Sequence, residues 1–251
     1  MRIFTFLICL VFISLDLAAQ NLIIMEDDVL FRGKIRVTAD TNSIFLGDGA
    51  GLSIDETQAT LNTFIGTSTG NQNTAGRYNT FIGGLTGFSN STGSENVMIG
   101  FQAGQFTDTG DGNVYIGHNT GFASAMGDDN TFVGNHSGFK NTMGGTNTYI
   151  GALAGYNNTM GSGNVFLGHR AGQLELGSNK LYINNSSTSE PLLYGDFGSN
   201  TFRVNGSAQI RDFMQLEPGS APLSPVKGTI YYDQTDDKVK VWTGAVWENL
   251  N

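Results

Sequence analysis

The five-residue phrase Asn62-Thr63-Phe64-Ile65-Gly66 decides the fold of this chain, because its pattern occurs seven times without a change of spacing. Its first residue returns every 17 residues, at Asn62, Asn79, Asn96, Asn113, Asn130, Asn147 and Asn164. Glycine occupies the fifth and ninth places of every unit, as at Gly66 and Gly70, and the fifteenth place of all but the last. A constant period this short predicts a solenoid of stacked coils, with glycines at corners that need a positive φ or a close backbone approach.

Each unit has one stretch with the composition of a strand, its second to fourth places. The second place is Thr or Val and the fourth is Ile, Val or Leu. The third place is always large and apolar, with Phe64, Phe81, Met98, Tyr115, Phe132, Tyr149 and Phe166. Because successive strand residues face opposite sides, both faces are apolar, and such strands are normally covered on both sides.

The sequence predicts a homo-oligomer from this two-faced strand. The eighth place is small, as at Thr69 and Ala103, which leaves little volume for a wide core inside one chain. We therefore expect the third-place column to lie outside the coil as a contiguous apolar stripe, which monomers rarely leave bare, and to form the interface of a symmetric homo-oligomer. The first-place asparagines are expected to hydrogen-bond from coil to coil.

The remaining sequence divides into flanking segments. Residues 1–20 have the pattern of a signal peptide, with Arg2 before an apolar run and small residues near Ala19. Residues 21–42 are predicted to form N-terminal capping strands and residues 43–185 the β-roll of 17-residue repeats. Residues 186–228 contain irregular strands and a Pro-rich linker, and residues 229–251 predict a three-stranded antiparallel meander joined by turns. The fold class is all-β.

Composition limits the partners. The net charge of −9 argues against nucleic acid, which requires clustered Lys and Arg. The single cysteine, Cys9, lies in the predicted signal, so no disulfide frame is expected. No other apolar run approaches the length of a membrane span, so we expect no transmembrane segment after signal cleavage and a secreted or cell-surface location.

The Asn-Thr-Phe-Ile-Gly phrases, each followed by a pair such as Ala103-Gly104 or Ala154-Gly155, resemble the head repeats of trimeric autotransporter adhesins and related bacterial and phage fibre proteins. The resemblance covers about residues 43–185. It implies a bundle of three parallel β-rolls and a role in adhesion. The C-terminal phrases look like those of fibre-like surface proteins from the Bacteroidetes group.

One acidic cluster is a candidate site. Asp111 and Asp128 share the sixteenth place of adjacent coils, with Asp108 and Asp129 nearby. Stacking would place the first two carboxylates about 5 Å apart, a separation compatible with a calcium site or a retaining glycosidase pair. The alternative is that they are solvated turn residues. We expect no other cofactor.

The leading hypothesis is a structural and adhesive one, in which the roll binds an unknown surface protein or glycan by avidity and is not an enzyme. A polysaccharide-degrading or polysaccharide-binding β-helix is the first alternative. An ice-binding solenoid is the second, since Thr63, Thr80, Thr131 and Thr148 share a column that valines interrupt.

Overall fold

The computed structural model describes residues 35–38, 42–55 and 57–250, and these contain strands and turns but no helix. The predicted signal at 1–20 and most of the predicted capping strands at 21–42 lie outside the described residues. The strands are β1 (Ile35–Thr38), β2 (Ser43–Leu46), β3 (Thr63–Ile65), β4 (Thr80–Ile82), β5 (Val97–Ile99), β6 (Val114–Ile116), β7 (Thr131–Val133), β8 (Thr148–Ile150), β9 (Val165–Leu167), β10 (Lys180–Ile183), β11 (Leu193–Asp196), β12 (Thr201–Val204), β13 (Pro218–Gly219), β14 (Ile230–Asp233), β15 (Lys238–Trp242) and β16 (Trp247–Asn249).

The repeats form a parallel β-solenoid with one short strand per coil. Strands β1 to β12 make a single sheet in chain order, in which β2 to β10 are parallel. Equivalent places pair directly, so that Phe64 lies beside Phe81. The antiparallel strand β1 covers one end of this parallel run, and the antiparallel pair β11 and β12 continues the sheet at the other. The predicted 17-residue coil is confirmed.

The third-place side chains fill the inside of the roll. Phe64, Phe81, Met98, Tyr115, Phe132, Tyr149 and Phe166 are all fully buried within the single chain. Their rings stack from coil to coil, with centroids 4.7 Å apart between Phe132 and Tyr149 and again between Tyr149 and Phe166. The prediction that these seven residues form an oligomer interface is therefore wrong.

The error has a physical cause in the residues opposite the rings. A Cβ added at Gly121, in the ninth place, would lie 2.7 Å from the ring of Tyr115. The backbone of the far wall thus touches the ring itself, and small eighth-place residues such as Thr120 leave room for it. The small residues in the eighth and ninth places therefore indicate a core that is one aromatic ring thick, and not a core that is too narrow to hold a ring.

The coils approach one another as closely as their backbones allow. A Cβ at Gly66, in the fifth place, would lie 2.4 Å from the carbonyl oxygen of Gly83 in the next coil. Only glycine fits such a contact, and the φ of Gly66 is +136°. This explains why the fifth place never varies through the seven units.

The first-place asparagines form the expected ladder. In the first six units the side-chain amide donates to the carbonyl of the fifteenth-place glycine, as Asn113 does to Gly127 at 2.8 Å, and in the last unit Asn164 donates to Gly177 instead. The side-chain oxygen accepts the backbone N–H of the next asparagine, as Asn113 does from Asn130 at 3.0 Å. The same pattern joins Asn62, Asn79, Asn96, Asn130, Asn147 and Asn164. Coil-to-coil bonding by this column is confirmed.

A separate four-stranded sheet lies near the C-terminus. Strands β14, β15 and β16 are antiparallel and match the predicted meander, while β13, from the Pro-rich linker, adds a short parallel edge that was not predicted. Trp242 and Trp247 face each other across two strands with ring centroids 5.4 Å apart, and Tyr231 lies 4.6 Å from Trp247. These rings stabilise a sheet too small to hold a separate core.

Candidate functional site

The largest exposed feature of the solenoid is the outer face of its sheet. Since the third place points inward, the second and fourth places point outward. The fourth-place column is aliphatic at all eleven strands from β2 to β12: Leu46, Ile65, Ile82, Ile99, Ile116, Val133, Ile150, Leu167, Ile183, Leu193 and Val204. The second-place column beside it is Ile44, Thr63, Thr80, Val97, Val114, Thr131, Thr148, Val165, Leu181, Gly195 and Phe202. We call these two columns the aliphatic band.

The aliphatic band is open to solvent and carries no charged residue. Ile82, Ile99, Ile116, Ile150 and Leu167 are 36 to 43% exposed. Eleven strands spaced about 4.8 Å apart give a length of about 48 Å, and two columns with their side chains give a width of about 12 Å. The resulting area, on the order of 600 Å², is at the upper limit of the largest apolar patch on a typical monomer.

One end of the band forms a shallow depression of about 370 Å³. Its apolar lining comes from Leu167, Ile183 and Leu192, beside the backbone of Gly168 and Asn184. Asn184 takes the place of the corner glycine in the closing coil, as the sequence indicates. The depression extends the aliphatic surface and brings no charged side chain to it.

The two long borders of the band carry different titratable groups. The sixth and seventh places, which follow each strand, hold His118, His136, His169 and Arg170, with Asp48 in the β2 coil as the exception. The sixteenth and seventeenth places, which precede the next strand, hold Glu95, Asp111, Asp128 and Asp129, with Arg77 as the exception. Within the described residues, none of these groups forms an ion pair with another. We call these two sets the imidazole border and the carboxylate border.

The predicted acidic cluster is brought together only in part. Asp128 accepts the backbone N–H of Asp111 at 2.9 Å, so the two lie on adjacent coils as predicted. Asp111 accepts the N–H of Ser94 at 2.7 Å, while Asp108 is bonded to the hydroxyl of Ser91. Their carboxylates therefore act as hydrogen-bond acceptors for the backbone and side chains of the preceding coil.

The four carboxylates of this cluster, Asp108, Asp111, Asp128 and Asp129, are all exposed. Across the part of the chain that the structure describes, no three His, Cys, Asp or Glu side chains lie close enough to hold a metal ion. Calcium binding by these residues stays a prediction, and the structure adds no ligand group to it.

The structure brings together two histidines that the sequence separates. His118 occupies the sixth place of its coil and His136 the seventh place of the next, yet their ring centroids are 5.5 Å apart. The His136 ring also donates from Nδ1 to the side-chain oxygen of Asn135 and accepts at Nε2 from the side-chain amide of Asn119. Partial burial, followed by the charge of His118, lowers the pKa of His136. A search for histidines at the same place of the repeat could not find this pair.

Aromatic rings also stack on the turn side of the solenoid. Phe122, Phe139 and Tyr156, all in the tenth place, have centroids 4.9 and 5.1 Å apart and nearly parallel planes. Lys140 lies 5.2 Å from the centre of the Tyr156 ring. Because the ring faces are stacked on one another, they are not free to stack on a sugar.

The buried tyrosines do not supply catalytic groups. Burial raises the pKa of Tyr115 and of Tyr149, so both hydroxyls stay neutral. The Tyr115 hydroxyl is 2.6 Å from that of Ser124 inside the roll. Their role is to fill and bridge the core.

Comparison with known proteins yields no relative. No protein-family model, no curated protein and no solved structure matches this chain. Among the described residues there is no helix long and apolar enough to cross a membrane. Function must therefore be argued from the surface of the solenoid.

Proposed function

We propose that this chain is a secreted structural and adhesive protein whose solenoids associate through the aliphatic band. The observation that supports the proposal most is the fourth-place column, which is aliphatic in eleven successive strands, with six of the eleven side chains exposed and five half-buried in the single chain. The side chains inside the roll explain why each coil needs a large apolar residue and two glycines. Strand propensity favours Ile and Val in the column, but the folding of one chain does not require every residue of the column to be aliphatic.

The size of the band fits association between copies. A contact that buried all of it would remove on the order of 600 Å² per copy from water. Stable interfaces bury about 800 Å² per partner, and a biological contact needs about 1,000 Å² in total. Two copies reach that total, and a homotrimer exceeds it while hiding every band around one axis. The trimer also agrees with the resemblance to adhesin head repeats.

Adhesion then follows from repetition. A bundle of solenoids presents several identical turn surfaces on a rigid rod, and many weak contacts with a surface protein or glycan add through avidity. The turn side carries the exposed Phe106 and the cation of Lys140, which provide such contacts in each copy. No deep pocket is required.

The test is a measurement of mass followed by a measurement of attachment. Sedimentation of the purified protein should give a mass that is a multiple of the chain, with no monomer at micromolar concentration. Beads coated with the protein should be retained on at least one of mucin, collagen and chitin. Beads coated with a variant that is folded but monomeric should be retained less. A monomeric wild-type protein would refute the proposal.

Ice binding is a second candidate, favoured by one observation. Thr63, Thr80, Thr131 and Thr148 lie on the flat outer face, and the neighbouring aromatic residues point inward. The fourth-place column next to them has no hydroxyl, which makes this face less suited to ice than to another protein. Thermal hysteresis from a monomeric protein would favour this candidate, and its absence would remove it. Polysaccharide degradation stays a prediction, which the release of reducing ends from acidic polysaccharides would test.

A further inference from the structure

The charges beside the aliphatic band determine how two copies can be oriented, provided that they associate through the band as proposed above. When two bands face each other with the solenoids parallel, the imidazole border of one copy lies along the carboxylate border of the other. The same holds for three copies around one axis. When the solenoids are antiparallel, each border meets its own kind. Like charges placed together at an interface cost free energy, so the borders favour the parallel arrangement.

The residues of the carboxylate border and of the imidazole border also lie at matching heights along the solenoid axis. Asp111 ends one coil and Asp129 ends the next, and the N–H of Asp129 donates to the carbonyl of Asp111 at 2.9 Å. His118 and His136 likewise lie one coil apart, with the N–H of His136 donating to the carbonyl of His118 at 3.0 Å. The two pairs come from the same stretch of three coils. In a parallel arrangement without offset, they lie within about 5 Å of each other in height.

Within the described residues, no ion pair in the single chain neutralises these charges. The carboxylates of Glu95, Asp128 and Asp129 are exposed, and no ion pair among the described residues involves them. The ion pairs that are present lie outside the seven units, as between Lys180 and Asp196. Opposite charges kept on the two sides of an apolar surface are what an interface between identical copies needs for orientation.

We propose that copies of this chain associate in parallel and without offset through the aliphatic band, with the carboxylate border of each copy against the imidazole border of the next. The contact is tighter at mildly acidic pH than at pH 8. Acidification gives imidazole a positive charge while carboxylates keep their negative charge, and because burial and then His118 lower the pKa of His136, its charge comes at the acidic end of the range.

The groups around the histidines make the direction of this pH effect clear. Within its own chain His136 contacts His118, Asn119 and Asn135, and the rings of Phe139 and Tyr156. His118 contacts the ring of Phe101 and the side chain of Asn135. None of these neighbours is a carboxylate, so the only carboxylates that would face the imidazoles are those of the next copy: Glu95, Asp111, Asp128 and Asp129.

The first experiment compares association of the full chain by sedimentation at pH 8 and about pH 5.5, at low and at high salt. We expect acidification at low salt to lower the dissociation constant on the order of tenfold, and high salt to remove most of this gain. The variant D111N/D128N/D129N should lose the effect. Asparagine keeps the acceptor oxygen that bonds the preceding coil and tolerates the positive φ of Asp129, so the fold is preserved. The variant H118N/H136N should lose the effect equally, and the control D212N, outside the borders, should keep it.

The second experiment measures orientation. Thr67, exposed in the first unit, is replaced by Cys in a chain that carries C9S, and spin labels are attached. Parallel copies bring the labels to the same height, whereas antiparallel copies separate them by about 38 Å along the axis. An oligomer that is antiparallel, or whose association ignores pH, salt and both variants, overturns this inference and leaves the proposed function standing. A protein that is monomeric under every condition overturns both.

Discussion

Replacing Ile116 by Lys tests whether the aliphatic band is an interface, because the single chain predicts that this change leaves the fold intact. Ile116 is in the fourth place of the central strand β6 and is 38% exposed. Its neighbour Tyr115 is fully buried, so the two adjacent residues have opposite roles. We expect I116K to shift the free energy of unfolding of the monomer by no more than about 1 kcal/mol, within the range of strand propensities at surface positions.

The effect on association should be much larger. Full burial of an isoleucine side chain contributes about 1.5–3 kcal/mol, and the 38% of Ile116 that is exposed would contribute about 0.6–1.1 kcal/mol per copy. Lysine loses this contribution and places an ammonium group in the centre of an apolar contact, at a cost of several kcal/mol per ion. The dissociation constant should therefore rise more than about a hundredfold, since 1.4 kcal/mol corresponds to a factor of ten.

The assay is sedimentation velocity with thermal unfolding followed in parallel. Met143→Lys is the matched control, because Met143 is 49% exposed but lies in the fourteenth place, on a different side of the coil. M143K should associate like the wild type. If I116K is folded and associates as tightly as M143K, the band is not the interface and the reasoning fails.

Three further predictions concern the fold itself. Gly121→Ala places a methyl group 2.7 Å from the ring of Tyr115 at a φ of +58° and should lower the free energy of unfolding by about 2–5 kcal/mol. The control Gly84→Ala, whose nearest contact would be at 3.4 Å, should change the free energy of unfolding by less than about 1 kcal/mol. Chemical denaturation measures both. Asn113→Ala orphans a buried backbone N–H and a carbonyl in the ladder and should cost about 2–5 kcal/mol by the same measurement. Hydrogen bonding to Lys240 holds the pKa of Asp233 below its usual value of 3.8. The C-terminal sheet should therefore be fully stabilised above that pH and lose stability as the pH falls below it. Tryptophan fluorescence should follow this loss, and D233N should remove the pH dependence.

Much of the fold could be predicted from the repeat alone. A 17-residue period, one three-residue strand per unit and an invariant glycine after it specify stacked parallel strands, and the structure has them. The asparagine ladder also follows from sequence, because a polar residue that recurs in every coil must bond along the stack. The meander at 229–251 was visible as three short strand patterns separated by turn residues.

The composition of the strand does not determine which of its side chains point into the coil and which point to solvent. Both faces are apolar, so alternation does not distinguish inside from outside, and the decision depended on the volume available within the coil. Gly121 decides it: without a Cβ, the far wall approaches the ring of Tyr115 directly. A glycine in the ninth place can mark a position where a ring packs directly on the backbone as well as a corner of the coil. Interpreted in that way, it predicts that the third-place column lies inside the roll.

The charged borders were also missed, for a related reason. Asp111 and Asp128 share one place of the repeat and are predicted as a local cluster, whereas His118 and His136 occupy different places, so the repeat alone does not relate them. Their relation appears once the second and fourth places are known to face outward, because the borders are defined by that face. The sequence contains the residues, but their common surface depends on which side of the strand is buried.

The measurement that tests the central claim most directly is the mass of the wild-type protein in solution, determined by sedimentation equilibrium over a range of micromolar concentrations. Association through the aliphatic band predicts a single species whose mass is a multiple of the chain, three times for a homotrimer, and dissociation to monomer in I116K. A wild-type protein that stays monomeric throughout this range, with its aliphatic band uncovered, would contradict the claim.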